Sequence, residues 1–316
     1  TAQSCAQEYG VLAQYLPRLT TGFTQINNRQ ISMAVRQEIV QPWAGFVAAA
    51  ARSGMSHSNP LQGALSVGLS MDAAAAQKVM RRIGGNWSSN PPACPSLQQA
   101  YASFTAGQQG LKQPMVNNFA SNIQGLFVEI GAENSGGEVN AKDVNAVVAL
   151  FMNNPKQLLA MAQGFVPALR QKQITAGGDP VLVSEGRDTP PDLTKLDVSA
   201  HRLWLALEKN ALGASLGDEF VPHLENVLSR DRPDDVLFKV QWHYGRMLNF
   251  YKSAPDMMDK AETGNKGEQI MERMQALEAQ EALYPLLAEL YQSAAISMAL
   301  TDKGAELRFN TKLNAQ

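Results

Sequence analysis

Apolar residues return every third or fourth position over long stretches of this chain, and that period limits its fold more than any composition figure. Leu158, Leu159, Ala162, Phe165, Val166 and Leu169 share one helical face, with a kink expected at Pro167. Ala200, Leu203, Trp204, Leu207 and Ala211 form a second stripe, and Phe220, Val221, Leu224, Val227 and Leu228 a third. Asn140 and Asp143 open a run through Val144, Val147, Val148 and Phe151 that stops ahead of Pro155. Ser70 can cap a helix with Asp72 in its first turn, Arg81 and Arg82 in its last, and Gly84-Gly85 beyond, each matching the charge and hydrogen-bond needs of a helix end. Pro233, Asp234 and Asp235 start another, with Leu237, Val240, Tyr244, Met247 and Tyr251 inward, and Glu268 to Leu300 is broken only by Pro285. Val181 to Val183 is a strand-like run too short to found a sheet. The expectation is an all-α, multi-helix bundle.

Charge divides the chain. Residues 1–180 carry 12 Lys/Arg and 8 Asp/Glu, whereas 181–316 carry 15 and 21, so a weakly charged, Ala/Gln/Asn-rich part precedes an acidic one. Between them, Thr175 to Asp192 is punctuated by Gly and Pro. Two helical subdomains are expected, 1–174 and 198–316, joined by a linker or long loop over 175–197. With 45% apolar residues and a net charge of -2, the chain has a core to bury and no excess basic charge for a nucleic-acid partner. No apolar run reaches the roughly 18 residues that a spanning helix needs.

The chain has two cysteines. Cys5 lies near the start and Cys94 in the rigid stretch Asn90-Pro-Pro-Ala-Cys-Pro95, an arrangement suited to one disulfide that staples the first helix. That bond, with a start at Thr1 lacking a basic, apolar leader, points to an exported protein, periplasmic or secreted.

Gly213-Ala-Ser215-Leu-Gly217 matches the G-x-S-x-G nucleophile elbow, and His243 follows it with acids between. Such an elbow needs a strand before the serine, and the helical stripe from Ala200 argues against one. His201, His223 and His243 fall in successive second-half segments, so a metal or acid–base cluster with Glu225 would require those segments to bring them together. No H-E-x-x-H or C-x-x-C spacing supports it, and neither a cofactor nor a metal is expected. Met257, Met258, Met271 and Met274 could line an apolar groove. The reading that follows is a helical protein–protein interaction component of a bacterial envelope, secretion or conjugation assembly, its partners being other proteins of that assembly. Two competing readings are a helical hydrolase using Ser215, His223, Glu225 or His243, and a carrier of a small apolar ligand.

Overall fold

A computed structural model describes residues 2–52, 61–111, 121–132, 144–184, 202–229, 236–248, 283 and 285–314. Its centre is a sheet of eleven strands, which overturns the all-α expectation. The strands are β1 (Leu19–Ile26), β2 (Gln30–Glu38), β3 (Leu65–Ser70), β4 (Ile123–Ala132), β5 (Val144–Met152), β6 (Val181–Ser184), β7 (Leu203–Leu207), β8 (Ala211–Leu216), β9 (Val236–His243), β10 (Tyr291–Thr301) and β11 (Gly304–Leu313). They lie in the order β1-β2-β11-β10-β9-β3-β4-β5-β8-β7-β6, and neighbouring strands pair antiparallel. Strands from both sides of residues 175–197 interleave: β2 pairs β11, β3 pairs β9 and β5 pairs β8. The change of composition near Pro180 therefore falls within one continuous sheet, and Val181 to Ser184 form its last strand.

The reason for the correction is visible in the residues. Val144 to Met152 is a nine-residue run, apolar except for Asn145, whose Val147, Ala149 and Phe151 are completely buried. A strand that is apolar on both faces satisfies i, i+3 and i+4 as readily as i and i+2, so periodicity alone cannot separate it from a helix. The C-terminal stretch from Glu306 to Leu313 almost strictly alternates polar and apolar residues, the half-buried strand signal that a helical reading passes over.

Helices decorate the sheet, among them α1 (Ala2–Tyr15), α2 (Trp43–Arg52), α3 (Ala73–Ser89), α4 (Pro95–Leu111), α5 (Pro155–Phe165), α6 (Pro167–Arg170) and α7 (Val221–Leu228). The break between α5 and α6 lies at the expected Pro167, whose missing N–H suits the first turn of the second helix. For α3 the cap is Asp72 rather than Ser70: its Oδ1 accepts the Ala75 amide at 2.8 Å, and Ser70 ends β3 instead. The helix also runs past Gly84-Gly85 to Ser89. Ala44, Ala48 and Ala51 of α2 are fully buried where that helix crosses β9, β10 and β11, their small side chains permitting close approach. On the β4–β5–β8–β7 part of the sheet, Phe127, Val147, Ala149, Phe151, Ala206 and Ala211 form a core with Phe220, Leu224, Val227 and Leu228 of α7 and its leading turn.

Glycine sets the height of α7. A Cβ on Gly213 would stand 2.5 Å from Leu224 Cδ1, and one on Gly131 would stand 2.6 Å from Phe220 Cζ, so both must be bare for the helix to seat. Gly217 has φ of 87°, the left-handed region, at the turn from β8 towards α7. Packing and turn geometry thus account for both glycines of the G-x-S-x-G match.

Cys5 and Cys94 are disulfide-bonded, with Cα atoms 4.7 Å apart. The staple has little help, because α1 buries no residue of its own. Its other ties are local: Glu8 accepts the amides of Ala93 at 2.6 Å and Cys94 at 3.0 Å, Tyr9 meets Ser96, and Tyr15 stands edge-on to Trp43.

Candidate functional site

Of the residues proposed from sequence, those described do not assemble into a reactive centre. Ser215 lies inside β8, fully buried, and donates its hydroxyl to the Gly217 carbonyl at 3.1 Å. His243 ends β9, four strand spacings from β8, or about 19 Å. No elbow and no Ser–His contact exist between them. Glu225 faces solvent on α7, away from the buried side that carries His223. His201 and the four methionines of the expected apolar groove lie outside the described residues. Among the described residues, no three His, Cys, Asp or Glu side chains lie close enough together to hold a metal ion.

His223 does have a partner that the sequence reading missed. Its Nε2 lies 3.0 Å from Glu129 Oε2, and the two side chains are 1% and 0% exposed. The other oxygen, Oε1, accepts the amide of Gln62 at 2.7 Å and the amide of Gly63. Phe127 and Phe220 stand edge-on to the imidazole at 6.2 and 5.8 Å, completing an apolar box around it. His223 Nδ1 has no hydrogen-bond partner. The network therefore places the proton on Nε2, directed at the carboxylate, with Nδ1 left as a lone pair. A carboxylate holding two backbone N–H groups and an imidazole, with no solvent face, is a clamp on the 61–63 loop rather than a group that could meet a substrate.

The same loop is gripped from its carbonyl side. Arg246 donates through Nη1 to the carbonyls of Gln62 and, at 3.1 Å, of Gly63. Its own amide is donated to His243 Nδ1 at 3.3 Å. Glu129 and Arg246 thus take the N–H and C=O groups of one short segment in opposite directions, and through it the α7 core is joined to the end of β9. His243 is held below its usual pKa, first by burial and then by the charge of Arg246. With Nδ1 accepting, Nε2 is its donor.

Beside this loop the sheet face opens into a groove of about 650 Å³. Its cross-section follows from the register. One row reads His243, Ser293, Lys312, Gln30 across β9, β10, β11 and β2; the next reads Gln241, Ala295, Asn310, Ser32. The middle strand contributes Ser293 and Ala295, whose short side chains make a floor, while longer polar side chains on either side make walls. Lys239 and Arg246 also line the groove, and among the described lining residues there is no carboxylate and no Phe, Tyr or Trp ring. Alternation through Lys239, Val240, Gln241, Trp242 and His243 could have revealed these neighbours, had the segment been read with a period of two.

One further surface stands out. Strand β1 is the sheet's outer edge and is exposed along nearly its whole length. The Arg18 carbonyl and the Asn27 amide bond across to β2. By antiparallel alternation, the backbone groups of Leu19, Thr21, Phe23 and Ile26 point outward. Leu19, Phe23 and Ile26 share one face and are each 66% exposed. No protein-family model, no curated protein and no solved structure matches this chain.

Proposed function

We propose that this protein is a binding component of an assembly outside the reducing cytosol, joined to a second copy of itself by strand addition at β1. The observation that carries the reading is the β1 edge. Its sequence, Leu-Thr-Thr-Gly-Phe-Thr-Gln-Ile, has no charge and no proline, the two devices by which edge strands are commonly protected from pairing. Three Thr, a Phe, an Ile and a Leu make it a good strand former, and an uncharged edge offers nothing to select an unlike partner over its own copy. Antiparallel pairing about a two-fold axis would satisfy the outward backbone groups of both copies and cover the exposed apolar stripe.

The Cys5–Cys94 bond supports the compartment, since such bonds persist where thiols are not kept reduced. No described helix is long and apolar enough to cross a membrane. Sedimentation velocity of the full chain across a concentration series tests the association. The wild-type chain should associate and Phe23→Lys should not, with far-UV circular dichroism unchanged. A wild-type chain that stays monomeric, or a Phe23→Lys variant that associates equally well, would sink the reading. Mass spectrometry of protein from its native source, with and without reductant, tests the compartment.

A further inference from the structure

We propose that the groove over β9, β10 and β11 binds a multivalent oxyanion carried on a hydroxyl-rich small molecule, such as a phosphorylated or carboxylated sugar. Three observations converge on this chemistry. At about 650 Å³ the space is of the size that holds small ligands. Its charged lining is cationic, with Lys239, Lys312 and Arg246 set around it and no carboxylate among the described lining residues. Its remaining polar groups, Gln30, Gln241, Asn310 and Ser293, both donate and accept, which suits hydroxyls better than a bare ion.

The spacing further limits the ligand. Lys312 stands in the row of His243, while Lys239 lies four residues back along β9. Two strand spacings across and four residues along separate the two lysine Cα atoms by about 16 Å. Cationic groups thus stand towards both ends of the groove, so negative groups should sit at opposite sides of the ligand rather than at a single point. No Phe, Tyr or Trp ring is among the described lining residues, and the His243 imidazole stands at one end of the groove, so a nucleobase lacks a broad stacking platform there. An apolar ligand would leave the amide and ammonium groups unsatisfied, which disfavours a lipid-like occupant.

Isothermal titration calorimetry on the full disulfide-bonded chain tests the site, with inositol 1,4,5-trisphosphate and a galacturonic acid trimer as probes and myo-inositol as the neutral control. Either polyanion should bind and weaken as salt is raised, and the tighter of the two names the oxyanion. Lys312→Gln should weaken binding about tenfold and Gln241→Leu several-fold. Lys303→Gln, at the far β10–β11 turn, should leave it unchanged. Thermal unfolding confirms that each variant is folded, and Gln241→Leu keeps the test decisive if Lys312→Gln is not. The proposal is overturned if neither polyanion binds, if myo-inositol binds as well, or if Lys303→Gln weakens binding as much as Lys312→Gln does.

Discussion

Replacing Glu129 by Leu isolates the part of the molecule where burial, hydrogen bonding and loop placement meet. The carboxylate accepts the Gln62 and Gly63 amides on one oxygen and faces His223 Nε2 with the other, all without solvent. Leucine conserves approximate volume, so the cavity contribution is small and the loss is polar. Each amide left unpaired costs about 1–3 kcal/mol when buried, and the imidazole Nε2 adds a third such group. Gln62 is exposed and can turn towards water, which discounts its share. The sum is about 3–5 kcal/mol, comparable to a large part of a domain's stability. His223→Phe separates the contributions. It removes only the Nε2 bond and places a ring between Phe127 and Phe220, so about 1–2 kcal/mol is expected. Urea unfolding under non-reducing conditions measures both, and hydrogen exchange at the Gln62 and Gly63 amides reports the loop directly. A loss under about 1 kcal/mol for Glu129→Leu, or unchanged exchange at those two amides, would refute the clamp.

Three further outcomes follow from local geometry. Cys5→Ala with Cys94→Ala removes a link spanning 89 residues, for which chain entropy alone gives about 4–5 kcal/mol. Because α1 buries nothing, the first consequence should be its release, seen as rapid proteolysis of the 2–16 segment while the sheet core stays protected. His243 has a folded pKa below its ordinary 6.5, so the unfolded chain binds more protons in that window. Stability from this group should be complete above 6.5 and fall as pH drops through the lower folded value, a slope that His243→Gln should abolish in urea midpoints taken on either side of 6.5. Glu306 is held below its ordinary 4.5, chiefly by the hydrogen bond from Arg308 and further by Arg36, against the opposing effect of burial. Its stabilisation is present above 4.5 and lost as acid carries the pH through the depressed value. Both arginines are about half exposed, so Glu306→Gln should cost only about 0.5–1.5 kcal/mol by thermal unfolding.

Particular elements show what could be read and what could not. The break at Pro167 and the apolar face of α7 follow from local rules, because a proline without an N–H and a stripe at helical spacing act within a few residues. Cys5 and Cys94 could be paired by elimination, there being no third cysteine. Strands β5, β7 and β8 could not be read in this way. Leu203 to Leu207 and, apart from Asn145, Val144 to Met152 are apolar on both faces, and only partners from distant parts of the chain decide that they extend rather than coil. Strands β9 and β11 carry a readable signal, since Lys239 to His243 alternates and Glu306 to Leu313 almost does, but that signal is hidden when a window is searched for a period of 3.6.

Sequence alone settled the size of the apolar reserve, the identity of the two thiols and the places where proline and glycine interrupt the backbone, because these depend on composition and on neighbours along the chain. Tertiary structure decided that the apolar runs form one sheet, that Glu129 meets His223 across 94 positions, and that Lys312 comes into line with His243. Such contacts arise when strands from remote segments choose a register. A free edge such as β1 exists only once every other strand has found its neighbours.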